Sequence, residues 1–274
     1  MTDAMEAEFD LVAEWTLQAV RELGAEHALP AACQGSASPV ALDWLADACR
    51  VTEGTRLLDV GGGTGGPAAY AVRRFGARPV LVDPMPGACR AARELFGLPV
   101  VVGAGEALPI ATGAVSALWC LGVLCTTPRR PALLAELRRV LADDGDLGLL
   151  VFERQAARLG DTPEGNDFPT AAELDRQLDA AGFVVVDRVS CDELTAAPES
   201  WSERADRVQA AVAAAHGSDP RFHAAQDQQR RIADLLAEGK VGGELVHARA
   251  SERSTPTRRA AGASSGDHCA TLCR

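Results

Sequence analysis

The most constraining feature of the sequence is a glycine-rich segment, Leu57-Leu-Asp-Val-Gly-Gly-Gly-Thr-Gly-Gly-Pro67. It begins as a short apolar run, and a helical pattern follows it as far as Arg74, which is typical of a strand, a tight turn and a helix. Glycines at such a turn let the backbone approach a ligand, and the first N–H groups of the helix have no intrahelical partners. The segment therefore predicts a ligand-binding turn at the end of a strand.

Short β-branched runs alternate with helical patterns from this turn onward. The alternation predicts seven strands, at about residues 56–60, 79–83, 99–103, 116–120, 146–152, 183–187 and 243–248. Apolar strands separated by helices indicate a sheet that is covered on both faces. We therefore expect an α/β fold with a seven-stranded, mostly parallel sheet.

The remaining segments are predicted to be additions to this core. Residues 1–38 are expected to form an N-terminal helical lid, and residues 39–250 the main domain. Two long helical patterns inside that domain, at about 195–240, predict a cap over one edge of the sheet. Residues 251–274 are rich in Ser, Thr, Arg and Gly without periodicity, which predicts a disordered tail.

The charge balance argues against several classes of partner. Asp and Glu outnumber Lys and Arg by 38 to 27, for a formal net charge of -11. Phosphate backbones and anionic lipids need a concentrated positive surface, so we expect neither a nucleic acid nor a membrane as partner. The sequence also lacks a secretion signal and an apolar run long enough to span a bilayer, so the expected location is cytoplasmic.

Cysteine usage gives no sign of a metal site. The eight cysteines are scattered without a Cys-x-x-Cys pair, which is typical of buried, reduced thiols. His268, Cys269 and Cys273 offer only three ligands in a polar tail, and no fourth is near. No metal is therefore expected.

Two carboxylates accompany the glycines. Asp83 ends the next predicted strand, where a carboxylate can accept both hydroxyls of a ribose. Asp59 stands just before the glycines. The spacing of Gly61, Gly63 and Gly66 also fits a dinucleotide fingerprint, but Asp59 would repel a pyrophosphate and attract an ammonium group. Nicotinamide chemistry is thus the minor alternative.

Five motifs in order resemble those of class I S-adenosylmethionine-dependent methyltransferases of the actinobacterial small-molecule type. They begin at Asp59, Val82, Gly105, Trp119 and Leu137, and the resemblance covers about residues 40–250. It implies a Rossmann-like fold, S-adenosyl-L-methionine as cofactor and methyl transfer to a small-molecule acceptor in specialised metabolism. In-line displacement in a water-poor pocket would depend mainly on proximity and orientation.

The resemblance also implies the roles of individual residues. Those expected to line the cofactor site are Asp59 near the amino group, Gly61, Gly63 and Gly65 along the methionine and ribose, Asp83 on the ribose diol, Met85 on the adenine face, Gly105 at the adenine ring, and Cys120 and Leu121 beside the methionine and the acceptor.

One position departs from the family pattern. The family commonly has an aspartate two residues before the Glu-Ala-Leu-Pro segment, where it accepts the adenine amine, and this chain has Ala104 there. The loss of one such bond typically costs about 0.5–1.5 kcal/mol. Glu106 is a candidate substitute, although its side chain is expected to point to solvent.

Candidates for the acceptor site come from the additions to the core. Trp15, Gln34 and Trp201 are the substrate candidates, with core packing or loop capping as the alternative interpretation of each. His27, His216, His223 and His247 are possible bases, with His247 expected to pack in a strand. None of them is assigned as catalytic, and the oligomeric state stays open.

Three functions are compatible with these sequence features. Methyl transfer to a small organic molecule leads. Another reaction of the same cofactor, such as aminocarboxypropyl transfer or a cyclisation, is the second. A non-catalytic cofactor-binding module is the third.

Overall fold

The computed structural model describes residues 7–35 and 37–251. The predicted tail lies outside the described residues apart from Ser251, and so do the first six residues of the predicted lid. Within the described part, no helix has both the length and the apolar character needed to cross a membrane.

Seven strands form a single sheet. Their bounds are β1 Arg56–Val60, β2 Arg78–Asp83, β3 Val100–Val102, β4 Val115–Leu121, β5 Leu141–Arg154, β6 Phe183–Ser190 and β7 Val241–Ala250. The order is β3-β2-β1-β4-β5-β7-β6. The first five strands pair in parallel, and β7 lies antiparallel between β5 and β6. The expected seven-stranded, mostly parallel sheet is confirmed.

Helices cover both faces of the sheet. Their bounds are α1 Val12–Leu23, α2 Ala28–Ala32, α3 Pro39–Ala48, α4 Gly66–Phe75, α5 Pro86–Phe96, α6 Arg130–Val140, α7 Ala171–Ala180, α8 Glu199–His216 and α9 Pro220–Ala237. A π-helical turn, Ala7–Leu11, precedes α1. Ser38 caps the start of α3, where its hydroxyl accepts a hydrogen bond from the Ala41 N–H at 3.2 Å.

Alternating side chains divide the core between the two faces. Leu57, Trp119 and Leu121 pack with α3 and α4 on one face. Leu58 and Cys120 point to the other face, where α6 and α7 cover them. A fully buried leucine contributes about 1.5–3 kcal/mol, so the two leucine-rich layers hold the sheet between its helices.

The predicted lid and cap segments pack against each other as one helical layer. α8 contacts α1 and α2, and the turn before α1 contacts α9. Trp15 of α1 is buried in this layer together with Val208 and Phe222, and its ring stacks on His216 with the centroids 4.3 Å apart. The layer is therefore held mainly by apolar and aromatic contacts.

A buried polar cluster lies at the amino end of the parallel strands. The Asp146 carboxylate, only 1% exposed, lies 2.9 Å from the His247 Nε2 atom. It also accepts hydrogen bonds from Arg50 and Arg249, at 2.7 and 3.3 Å. His247 thus packs inside the sheet, as expected, at the edge opposite the glycine-rich turn.

Candidate functional site

The glycine-rich turn begins where β1 ends. Gly61 has a φ of +70°, and a Cβ atom there would lie 2.4 Å from Val123 Cγ2. Both the backbone angle and the lack of space therefore require glycine. The turn leads into α4 and joins the end of β1 to the residues that follow β4.

The Asp83 carboxylate ties the turn to β2. Its two oxygens accept hydrogen bonds from the N–H groups of Gly63, at 2.9 Å, and Met85, at 2.8 Å. Burial raises the pKa of Asp83, while these two bonds oppose the rise. A carboxylate has about four lone-pair sites, so both oxygens retain capacity to accept ligand hydroxyls.

Asp59 lies beside it with an unsatisfied oxygen. The side chain is 1% exposed, and its Oδ2 atom has no hydrogen-bond partner among the described residues. Burial raises the pKa of Asp59 to about 7; the nearby Asp83 adds to the rise, and a backbone hydrogen bond from Ala68 opposes it. A buried acceptor without a partner is costly, which is typical of a group that a ligand completes.

Neither carboxylate forms an ion pair with any residue that the structure describes. Two buried acids next to a glycine turn make this edge complementary to a cationic ligand with hydroxyl groups. The two carboxylate acceptors therefore fit S-adenosylmethionine, whose ammonium group would contact Asp59 and whose ribose would contact Asp83.

The segment after β3 is the one predicted to border the adenine. Gly105 begins a short 3-10 turn, and a Cβ atom there would lie 2.7 Å from Leu133 Cδ1. Ala104, just before it, is exposed. The expectation that Glu106 points to solvent is wrong, because its carboxylate accepts a hydrogen bond from the Thr127 hydroxyl at 2.9 Å and its side chain is only 17% exposed.

Three apolar candidates take different positions. Met85 is buried against Ala13 and Leu17 of the helical layer. Leu121 lies on the face of the sheet that carries Asp59. Cys120 is fully buried on the opposite face, where burial raises the pKa of its thiol. Of the last two, only Leu121 shares a face with Asp59.

The substrate candidates all lie in contacts between elements. Trp15 is buried in the helical layer. The Gln34 side-chain oxygen accepts a hydrogen bond from Gln209 of α8 at 2.7 Å. Trp201 packs edge-on against Tyr70 of α4. These contacts connect the additions to the core, and the substrate roles stay a prediction.

The N-terminal segment reaches the site at two points. A Cβ atom on Gly66 would lie 2.4 Å from the Ala32 carbonyl, so α2 lies directly on the start of α4. The Asp10 carboxylate accepts hydrogen bonds from the N–H groups of Gly87, at 2.5 Å, and Ala88, at 3.3 Å, and so caps α5. No local sequence pattern predicts this cap, because Asp10 precedes Gly87 by 77 positions.

A cavity of about 260 Å³ opens near the carboxyl ends of β5 and β6, and we call it the strand-end cavity. Its walls are Leu150, Cys191, residues 194–197, and Ala37, Ser38 and Ala41 at the start of α3. None of these residues is Asp, Glu, Lys, Arg or His.

Comparison with known proteins finds similarity over the central part of the chain. Residues 58–149 match the model of a family described as a methyltransferase domain. A protein of Mycobacterium tuberculosis strain H37Rv, described as uncharacterized, is 34% identical over 141 residues, which cover 48% of this chain and 47% of that protein. The chain thus spans about half the length of the curated relatives it matches.

Solved structures share the fold. The 4+2 cyclase SpnF superposes with a TM-score of 0.61 at 23% identity, over 77% of this chain and 80% of the cyclase. The cyclopropane synthase MmaA2 from Mycobacterium tuberculosis gives 0.61 at 16% identity, over 76% and 82%. Geranyl diphosphate C-methyltransferase from Streptomyces coelicolor A3(2), crystallised with S-adenosyl-L-homocysteine, gives 0.57 at 17% identity, over 76% and 74%.

Proposed function

We propose that this chain, whose residues 58–149 match a methyltransferase domain, is a class I S-adenosylmethionine-dependent enzyme that transfers a methyl group to a small organic acceptor. The observation that carries the proposal is the pair of buried carboxylates at the glycine turn, one of them with an unpartnered oxygen. A site of this charge and shape suits the cationic cofactor of the family.

The cofactor supplies a sulfonium methyl group with an excellent leaving group already attached. The protein then has to bind, orient and exclude water. Asp59 would bind the ammonium group and Asp83 the ribose hydroxyls. Gly61, Gly63 and Gly65 would leave room for the ligand, Met85 and Gly105 would border the adenine, and Leu121 would border the acceptor. The helical layer would keep water out.

Binding of S-adenosylhomocysteine, measured by titration calorimetry, tests the cofactor site. We expect the wild-type chain to bind it and Asp83→Ala to bind it at least about tenfold more weakly, because two hydroxyls lose their acceptor. Asp187→Ala, on the exposed part of β6, is the matched control. Equal affinity in all three proteins would contradict the proposed site.

The reaction itself is tested with labelled cofactor and a pool of small metabolites. Label in the transferred methyl group should appear in a product, whereas label in the aminocarboxypropyl chain should not. Label from the aminocarboxypropyl chain in a product, without label from the methyl group, would instead show aminocarboxypropyl transfer. Binding without any product would leave the binding module as the function.

A cyclisation is the second candidate. Two observations favour it. The strand-end cavity has no charged wall residue to take a proton. The fold is also shared with the cyclase SpnF. A cyclised product without label from the cofactor would identify this reaction.

Three further parts of the proposal concern the location of the protein, its metabolic role and its domain organisation. Cytoplasmic location is supported by four buried free thiols of the described part, Cys33, Cys49, Cys89 and Cys120. A role in specialised metabolism and the division into lid, main domain and cap follow the family resemblance.

A further inference from the structure

We infer that the strand-end cavity receives the methyl acceptor, and that the reacting part of this acceptor is compact, uncharged and largely apolar. The inference rests on the proposed methyl transfer and names the substrate class for it.

The cavity lies next to the cofactor side of the sheet. Val123 packs on Gly61 of the glycine turn, and the neighbouring Gly122 donates its N–H to the Leu150 carbonyl at 2.9 Å. Leu150 forms part of the cavity wall and pairs in register with Leu121. Since adjacent strands lie about 4.8 Å apart, the end of β1 and the cavity wall on β5 are separated by roughly 10 Å.

The chemistry of the walls excludes a charged guest. The Ser38 hydroxyl accepts the Ala41 N–H in the cap of α3, and it carries no charge. Burial raises the pKa of the Cys191 thiol to about 11, so this side chain stays neutral near neutral pH. A charged molecule would lose part of its hydration without gaining a wall residue of opposite charge, which disfavours its binding.

The size of the cavity limits the guest further. Its volume of about 260 Å³ is below the roughly 300–1,000 Å³ of pockets that hold drug-sized ligands. Residues 194–197, Leu-Thr-Ala-Ala, form the outer wall with uncharged side chains, and the Thr195 hydroxyl is their only polar group. The guest is therefore a small apolar molecule, or a small apolar end of a larger one.

A second hollow of nearly equal size provides an internal control. It measures about 250 Å³, lies between α6 and α7, and has Glu173 and Arg176 in its wall. It lies on the opposite face of the sheet from Asp59. The second hollow thus matches the strand-end cavity in volume, but it differs in the charge of its walls and in its position.

Fluorine NMR of the full chain tests the inference with defined probes. The neutral 4-fluoroanisole should broaden on binding, and the charged 4-fluorobenzoate should not. Ala197→Trp and Thr195→Trp, which fill the strand-end cavity, should weaken binding of 4-fluoroanisole at least about tenfold. Ala135→Trp, which fills the second hollow, should leave it unchanged. Equal binding of the charged probe, no binding of the neutral one, or insensitivity to both cavity-filling variants would overturn the inference.

The position relative to the cofactor is tested with both ligands present. With S-adenosylhomocysteine bound, 4-fluoroanisole should still bind, and an interligand Overhauser effect should connect its methyl group to the methylenes beside the cofactor sulfur. A bound probe without that effect, or one that the cofactor displaces, would refute the acceptor role. Loss of S-adenosylhomocysteine binding itself would instead refute the proposed function, so the two failures are distinguishable.

Discussion

At the scale of single residues, the proposed site depends on two carboxylates that are buried away from water. Asp59 is buried with one unpartnered oxygen, and Asp83 is buried with both oxygens already accepting backbone N–H groups. Asp59 is therefore the group whose ionisation a cationic ligand changes most. At the loop predicted to border the adenine, Ala104 offers no side-chain acceptor.

The raised pKa of Asp59 predicts a pH-dependent affinity. The folded protein without ligand holds this carboxyl protonated below about pH 7, whereas its ordinary pKa is 3.8. A ligand ammonium favours the ionised form, so binding below that pH must release the proton. We expect the affinity for S-adenosylhomocysteine to rise by up to about tenfold per pH unit below about 7 and to level off above it.

Calorimetry at several pH values between about 5 and 8.5 checks this prediction. Asp59→Asn should bind more weakly and with little dependence on pH. A wild-type affinity that stays constant over the range would contradict the role of Asp59.

Ala104→Asp should tighten binding of S-adenosylhomocysteine. A carboxylate at this exposed position after β3 would accept the adenine amine, for a gain of about 0.5–1.5 kcal/mol. Titration calorimetry measures the change, and Ala104→Asn is the control for an uncharged acceptor. An unchanged or lower affinity in Ala104→Asp would show that the adenine does not lie at this loop.

At the scale of elements, the N-terminal segment is joined to the core by polar contacts as well as by packing. Asp10 caps α5, Glu14 pairs with Arg90 at 2.6 Å, and Arg21 pairs with Glu94. The two surface ion pairs contribute little, since exposed pairs are typically worth about 0–1 kcal/mol. The cap, which satisfies two helix N–H groups, matters more.

Asp10→Ala should lower the free energy of unfolding by about 0.5–2 kcal/mol, the usual value of a helix cap. For a chain of this size that corresponds to a fall in Tm of a few degrees. Asp10→Asn keeps an acceptor and should retain most of the stability. Thermal unfolding of the three proteins decides the matter, and an Asp10→Ala protein as stable as the wild type would show that the cap contributes nothing.

Most elements were predictable from local patterns, and their arrangement was only partly so. The glycine turn and its flanking strand and helix follow from adjacent residues, and so does the Ser38 cap. Asp59 and Asp83 meet because both lie at the carboxyl ends of neighbouring parallel strands. The position of β7 between β5 and β6, the Asp10 cap and the bond from Thr127 to Glu106 depend on contacts distant in sequence, so no local pattern reports them.

At the scale of the whole molecule, the carboxyl and amino ends of the parallel strands differ in how their buried carboxylates are partnered. The glycine turn, both site carboxylates and the strand-end cavity lie toward the carboxyl ends of the parallel strands. The Asp146 cluster lies at the other edge, where two arginines and His247 satisfy it. The glycine-turn edge thus keeps one unpartnered acceptor, on Asp59, while the buried charge of Asp146 at the other edge is compensated.

Asp146→Ala should destabilise the protein by about 3 kcal/mol or more, because buried His247 loses its partner. Burial acts to raise the pKa of Asp146, but bonds from His247 and Arg50 bring it below its usual value. A lowered pKa stabilises the fold above pH 4 or so, and this contribution disappears as the pH falls through the folded pKa.

The difference in unfolding free energy between wild type and Asp146→Ala should therefore be large near neutral pH and smaller in acid. Denaturant unfolding near neutral pH and in acid measures this difference in unfolding free energy. Asp47→Ala, an exposed residue of α3, is the control. A difference that does not shrink in acid would contradict the ionic origin of the stabilisation.

The strand-end cavity shares no wall residue with the glycine turn or with the two site carboxylates. Its outer wall comes from a short connection between β6 and α8, late in the chain. Substitutions in that connection can therefore alter the choice of acceptor while the capacity to hold the cofactor persists. This separation favours divergence within a lineage, and it makes residues 194–197 the natural positions for a directed-evolution library.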